Sequence, residues 1–215
     1  MPGIKIETHI DLIRQSLMEK AYHEAGHAVT NAFFEGDISH FKEVPIIPNQ
    51  DRMGQFAREG VPHFDHIFRN YPPNLIWVKG KMRIIHFLGG RVAEDIVYDG
   101  VEPLEEAVDE SAWEFTDCSS EKQWRNGTDM GIALTTAEMI ARRGWPPLRI
   151  LNLMERWTYE LFEISAVWDV VESLVQKLIS SGEITDHDEY CNIIEPILWQ
   201  WMSFPKWRKR FDVKS

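Results

Sequence analysis

Cysteine is scarce in this chain. Only Cys118 and Cys191 occur in 215 residues, far apart, so no disulfide framework is indicated and reduced thiols in a cytoplasmic protein are the expectation. Positive charge is also in short supply. Twenty-three Lys and Arg face 34 Asp and Glu, a net charge of −11, which argues against nucleic acid as a main partner because phosphate binding needs a basic surface. Long apolar runs are missing too. No stretch reaches the roughly 20 residues of a membrane span, and the N-terminus has no signal-peptide core. What is there is ordinary for a soluble globular chain: 44% hydrophobic and 27% charged residues, with nine tryptophans. The length suits one fair-sized domain with a real core.

The stretch that organises the rest is Ala21-Tyr22-His23-Glu24-Ala25-Gly26-His27-Ala28-Val29, which contains His-Glu-x-x-His. Two histidines four apart on a helix project from one face, a turn apart, so their ring nitrogens can share one zinc ion. Glu24 lies one position along, within reach of the water that such a metal activates, and is the candidate general base.

The remaining pattern is mainly helical. Residues 11–36 carry a broad apolar stripe (Leu12, Ile13, Leu17, Ala21, Ala25, Ala28, Val29, Ala32, Phe33) that Gly36 should end. Residues 38–58 change period, and Pro45 and Pro48 suggest an edge strand with a return near Gly54-Gln55-Phe56. An extended peptide can add to such an edge, although an ordinary hairpin covering the core fits equally well. Residues 60–74 read as a loop. Its His63 and His66 are a weaker metal pair than the helical one. Residues 75–99 form a second long helix in which Gly89-Gly90 imply a close approach to the metal helix. Arg91 and Glu94 are spaced to pair. Residues 101–125 are an acidic, solvated insertion. Residues 126–202 hold the C-terminal helices, the first capped by Thr128 or Asp129, the last one candidate for a kink at Pro196. Residues 203–215 are a basic-aromatic tail, suited to a membrane surface, a partner, a dimer contact or the core.

Taken in order, Tyr22-His23-Glu24-Ala25-Gly26-His27-Ala28-Val29, Val44-Pro45-Ile46-Ile47-Pro48, Leu88-Gly89-Gly90-Arg91-Val92-Ala93-Glu94 and the later Gly127-Thr128-Asp129 resemble the FtsH-type peptidase domain, family M41, over roughly residues 10–190. The resemblance implies a single helical, zincin-like domain with a small β-hairpin or edge strand beside the His-Glu-x-x-His helix. It implies a zinc metalloendopeptidase with His23 and His27 as ligands, Glu24 as the catalytic residue, and Zn2+ as cofactor. The family's third ligand is an aspartate of an Asn-Asp pair opening a helix. Asp129 matches it, with Thr128 in place of the asparagine, and Glu94 on the second helix is the competing ligand. Family members usually carry membrane spans and an AAA ATPase upstream and assemble as oligomers. Here no Gly-x-x-x-x-Gly-Lys-[Ser/Thr] motif occurs, so the expectation is a stand-alone relative that cuts peptides or unfolded proteins without ATP, with a homo-oligomer as one assembly state. The competing expectation is a binding or regulatory module that keeps the fold without the activity.

Overall fold

A computed structural model describes residues 9–34, 41–45, 57–58, 72–98, 103–104 and 129–211. The expected acidic insertion, the His63/His66 loop and the Thr128 cap lie outside the described residues, apart from 103–104 and the residues from 72 on. The architecture is mainly helical, as the periodicity implies. In chain order it comprises α1 (His9–Phe34), β1 (Phe41–Pro45), β2 (Ala57–Arg58), α2 (Pro73–Tyr98), α3 (Asp129–Ile140), α4 (Pro147–Phe162), α5 (Ser165–Ser181), β3 (Glu183–Ile184), α6 (His187–Ile194), two 3-10 turns (Glu195–Ile197 and Gln200–Met202) and α7 (Pro205–Phe211).

Helix α1 is the axis of the molecule. From Ala21 to Phe34 every side chain but His23 is buried. Burial there extends beyond the expected apolar stripe to polar Glu24, His27, Thr30 and Asn31, as in a helix enclosed by neighbours. It packs most extensively against α2, then α5. The α1–α2 approach depends on glycine meeting glycine. A Cβ on Gly26 would lie 2.2 Å from the Gly89 carbonyl oxygen, and one on Gly89 would lie 2.7 Å from the Gly26 oxygen. Each glycine costs a helix about 1 kcal/mol against alanine, and in return the two backbones touch. Thr30 seals the crossing by donating its hydroxyl to the Gly26 carbonyl at 2.8 Å.

The small sheet departs from expectation. The strand anticipated as an edge is the middle one, in the order β2-β1-β3, all antiparallel. Its first half pairs with β2 (Phe41 opposite Arg58) and its second half with β3 (Val44 opposite Ile184). Pro45 ends the strand, where a missing N–H costs least.

The C-terminal helices close the other sides. Helix α6 is capped by Asp186, whose carboxylate accepts from the backbone N–H of Asp188 (2.9 Å) and Glu189 (3.3 Å). It ends before Pro196, which opens a 3-10 turn rather than kinking a longer helix. Helix α3 stops at Ile140, and Gly144 sits in a left-handed turn closed by the Arg142–Trp145 bridge. The tail joins the core: Trp207 and Phe211 of α7 are buried against Phe34 and Trp157. Lys206 and Arg210, on an adjoining face of α7, both pair with Glu160 of α4.

This packing also traps Lys81 of α2. Its ammonium donates to the Arg210 carbonyl at 2.6 Å and lies over the rings of Trp77, Trp157 and Phe211, 4.8–5.6 Å from their centroids. Burial, with the Arg142 charge nearby, pulls this lysine down to about 8.

Candidate metal centre

Two helices bring three donors to one point. His23 and His27 come from successive turns of α1, and Asp129 is the first residue of α3. His23 Nε2 and His27 Nε2 are 3.1 Å apart, and Asp129 Oδ2 is 3.1 Å from the first and 3.0 Å from the second. Such a triangle fits a divalent ion closely. Zinc held at about 2.05 Å by nitrogen and oxygen needs tetrahedral donor separations of about 3.3 Å, so the donors must open by only about 0.3 Å.

Surrounding groups decide which ring nitrogens face the centre. His27 Nδ1 donates to the backbone carbonyl of His86 at 2.8 Å, which leaves its Nε2 lone pair directed inward. His23 Nδ1 lies 3.3 Å from Glu94 Oε2, the carboxylate–histidine arrangement that orients metal ligands. With both Nδ1 protons so used, the converging Nε2 atoms and Asp129 Oδ2 are all acceptors. Three acceptors at 3 Å repel one another unless a cation sits between them or a proton is taken up.

The titration behaviour expresses the same demand for positive charge. Burial opposes charge on His23, but hydrogen bonds and charge from Asp129 and Glu94 outweigh it and lift the imidazole to about 10. His27 is raised as well: burial resists its charge, and Asp129 overcomes that resistance. Burial would raise Asp129, yet the two imidazoles hold it well below the usual carboxylate range.

Glu24 is 2% exposed, and its Oε2 has no hydrogen-bond partner among the described residues. Burial pushes the carboxyl up to about 7, against the pull of the His27 and His23 charges. A buried carboxylate oxygen left open is costly, and a water held in the site is the group that would use it.

Gly90 makes room for the rings. A Cβ there would stand 2.7 Å from His27 Nε2 and 2.9 Å from His23 Cε1 and Cγ. Of the doublet, Gly89 therefore serves the helix crossing and Gly90 the site.

The structure thus assembles His23, His27 and Asp129, and places Glu94 behind His23 rather than in the triangle. Arg91, considered as a partner of Glu94, directs Nε toward Glu155 at 3.4 Å. The His86 carbonyl had no signal in the sequence, because a backbone acceptor carries none. No family model matches the chain, and no curated protein matches it.

Proposed function

We propose that the chain is a metal-dependent hydrolase whose centre is His23, His27 and Asp129. More narrowly, we read it as a zinc metalloendopeptidase of the FtsH (M41) type, acting on peptides or unfolded proteins without ATP in the cytoplasm. The observation that carries this reading is the closed triangle of two imidazole nitrogens and one carboxylate oxygen, 3.0–3.1 Å on each side, with the buried, open carboxylate of Glu24 one residue from its first ligand. Two imidazoles and a carboxylate are a donor set that suits zinc, and three protein ligands leave a position for chemistry.

When bound, zinc supplies a Lewis acid that polarises the scissile carbonyl and makes water a nucleophile near neutral pH. The protein's own residues do the rest. Glu94 and the His86 carbonyl fix the two rings so that both Nε2 atoms point inward. Glu24 takes a proton from the attacking water and passes it to the leaving amine. A carboxyl shifted toward 7 by burial is well matched to both halves of that transfer.

The test is Glu24→Gln, with metal content and casein cleavage measured together. Retained zinc with cleavage lost supports the reading. Cleavage at the wild-type rate refutes the role of Glu24. Stoichiometric zinc in the wild type with no cleavage of any unfolded chain, chelator-treated or not, would instead support the binding-module reading.

A further inference from the structure

Trp199 is held in a conformation that tryptophan rarely adopts. Its φ is 57°, the one positive φ at a non-glycine position among the described residues. Bulky L residues are disfavoured there. Core packing does not repay the strain, because the side chain is 52% exposed. The flanking chain enforces it instead. Ile197 is buried and Leu198 packs on the core, while the Trp199 backbone N–H bonds the Ala32 carbonyl at the end of α1 (3.3 Å). Three residues on, Met202 is 45% exposed.

The next element supplies charge. On α7 the buried pair Trp207 and Phe211 defines the inward face. At 100° per residue, Arg208 falls on a flank and Lys209 directly opposite that face. Both are exposed and have no ion pair among the described residues, whereas Lys206 and Arg210 engage Glu160. Phe204 and Trp207 pin this element to Phe33, the penultimate residue of α1. The indole, the thioether and the free cations therefore share the C-terminal end of α1. From 196 to 211 the chain has four cations and no acid, in a protein whose net charge is −11.

We propose that this end of the molecule, with Trp199 and Met202 as the inserting groups and Arg208 and Lys209 as the charged rim, docks on an anionic lipid bilayer. Charge complementarity selects the occupant. Tryptophan prefers the headgroup region, with its apolar body inward and its N–H toward water, and a basic rim draws the surface to anionic leaflets. No described helix is long and apolar enough to cross a membrane, so the attachment is peripheral and salt-sensitive.

The experiment is co-sedimentation of the full chain with phosphatidylserine-containing vesicles and with pure phosphatidylcholine vesicles. Binding is expected only to the first, and is expected to fall as salt rises. Trp199→Gly removes the indole and relieves the strained φ, so binding should fall while the melting temperature holds or rises. Arg208→Glu with Lys209→Glu should lower the partition coefficient by at least about 25-fold, taking about fivefold per cation. No binding to anionic vesicles, equal binding to neutral ones, or full binding by both variants would overturn the proposal. So would a dimer in sedimentation velocity that Trp199→Gly converts to monomer, because the surface would then belong to a second copy. Equal capture by soluble polyphosphate, indifferent to Trp199→Gly, would assign the cations to a polyanion instead.

Discussion

Gly90→Ala separates the fold from the metal centre. The added Cβ would meet His27 Nε2 at 2.7 Å and His23 Cε1 and Cγ at 2.9 Å. An unstrained contact of this kind is about 3.5 Å, so each ring must retreat by roughly 0.6–0.8 Å. The donors now sit 3.0–3.1 Å apart, and a metal site tolerates errors of only about 0.2 Å in each bond. Disturbing the orientation of metal ligands typically costs about 10–100-fold in metal affinity, or about 1.4–2.7 kcal/mol, and a loss of that size is expected. In the metal-free protein a smaller loss is expected, since the preference of a helix for alanine over glycine, about 1 kcal/mol, opposes the strain of moving two rings. The assay is zinc affinity by competition with a chromophoric chelator, beside the melting temperature of the metal-free protein. Wild-type zinc affinity in the variant would refute the reasoning. So would a large loss of metal-free stability, which would make Gly90 a packing residue only.

Gly26→Ala should do the reverse, damaging the fold itself. Its Cβ collides with the Gly89 backbone at 2.2 Å, and backbone cannot rotate away, so a loss of about 1–3 kcal/mol is expected in chemical denaturation. Glu94→Ala should weaken zinc binding about 10–100-fold by freeing the His23 ring, while Asp129→Ala should abolish stoichiometric binding. The opposite ranking in a zinc titration would make Glu94 the third ligand. Glu160 bears on pH. Burial pushes its carboxyl up, but hydrogen bonds from Lys206 and Arg210 prevail and hold it at about 2, below its ordinary 4.5. Its contribution is therefore complete above about 4.5 and disappears as pH falls through 2. Glu160→Gln should cost about 2 kcal/mol near neutral pH, and the gap from wild type should close in acid unfolding experiments.

The long helices were legible because their signals are local. The expected 11–36 and 75–99 lie within two residues of α1 and α2, and the glycines at 26 and 89 announced the close crossing they make. The donor pair on α1 was equally plain, since its spacing is the helix repeat. Asp129 required the family pattern, because nothing local ties it to residues 102 and 106 positions earlier. The middle position of β1 was not legible. Its second partner is a two-residue strand at Glu183–Ile184, too short to show alternation. Lys81 was hidden for a related reason: a lysine on a helix reads as solvated, and only the arrival of α7 encloses it in aromatic rings. The tail's fate was divided for the same cause, its buried pair Trp207 and Phe211 being interleaved with cations.

The donor triangle has a further consequence for the chain between its members. An ion shared by His27 and Asp129 would fasten together points 102 residues apart, and clips that close long loops restrict the unfolded chain most. Because the grip exists only when α1, α2 and α3 are assembled, every increment of metal occupancy is also an increment of folding free energy. Stripping the ion would leave three mutually repelling acceptors at the junction of α1 and α3. The same atoms would then serve as both the working centre and the buckle of the domain.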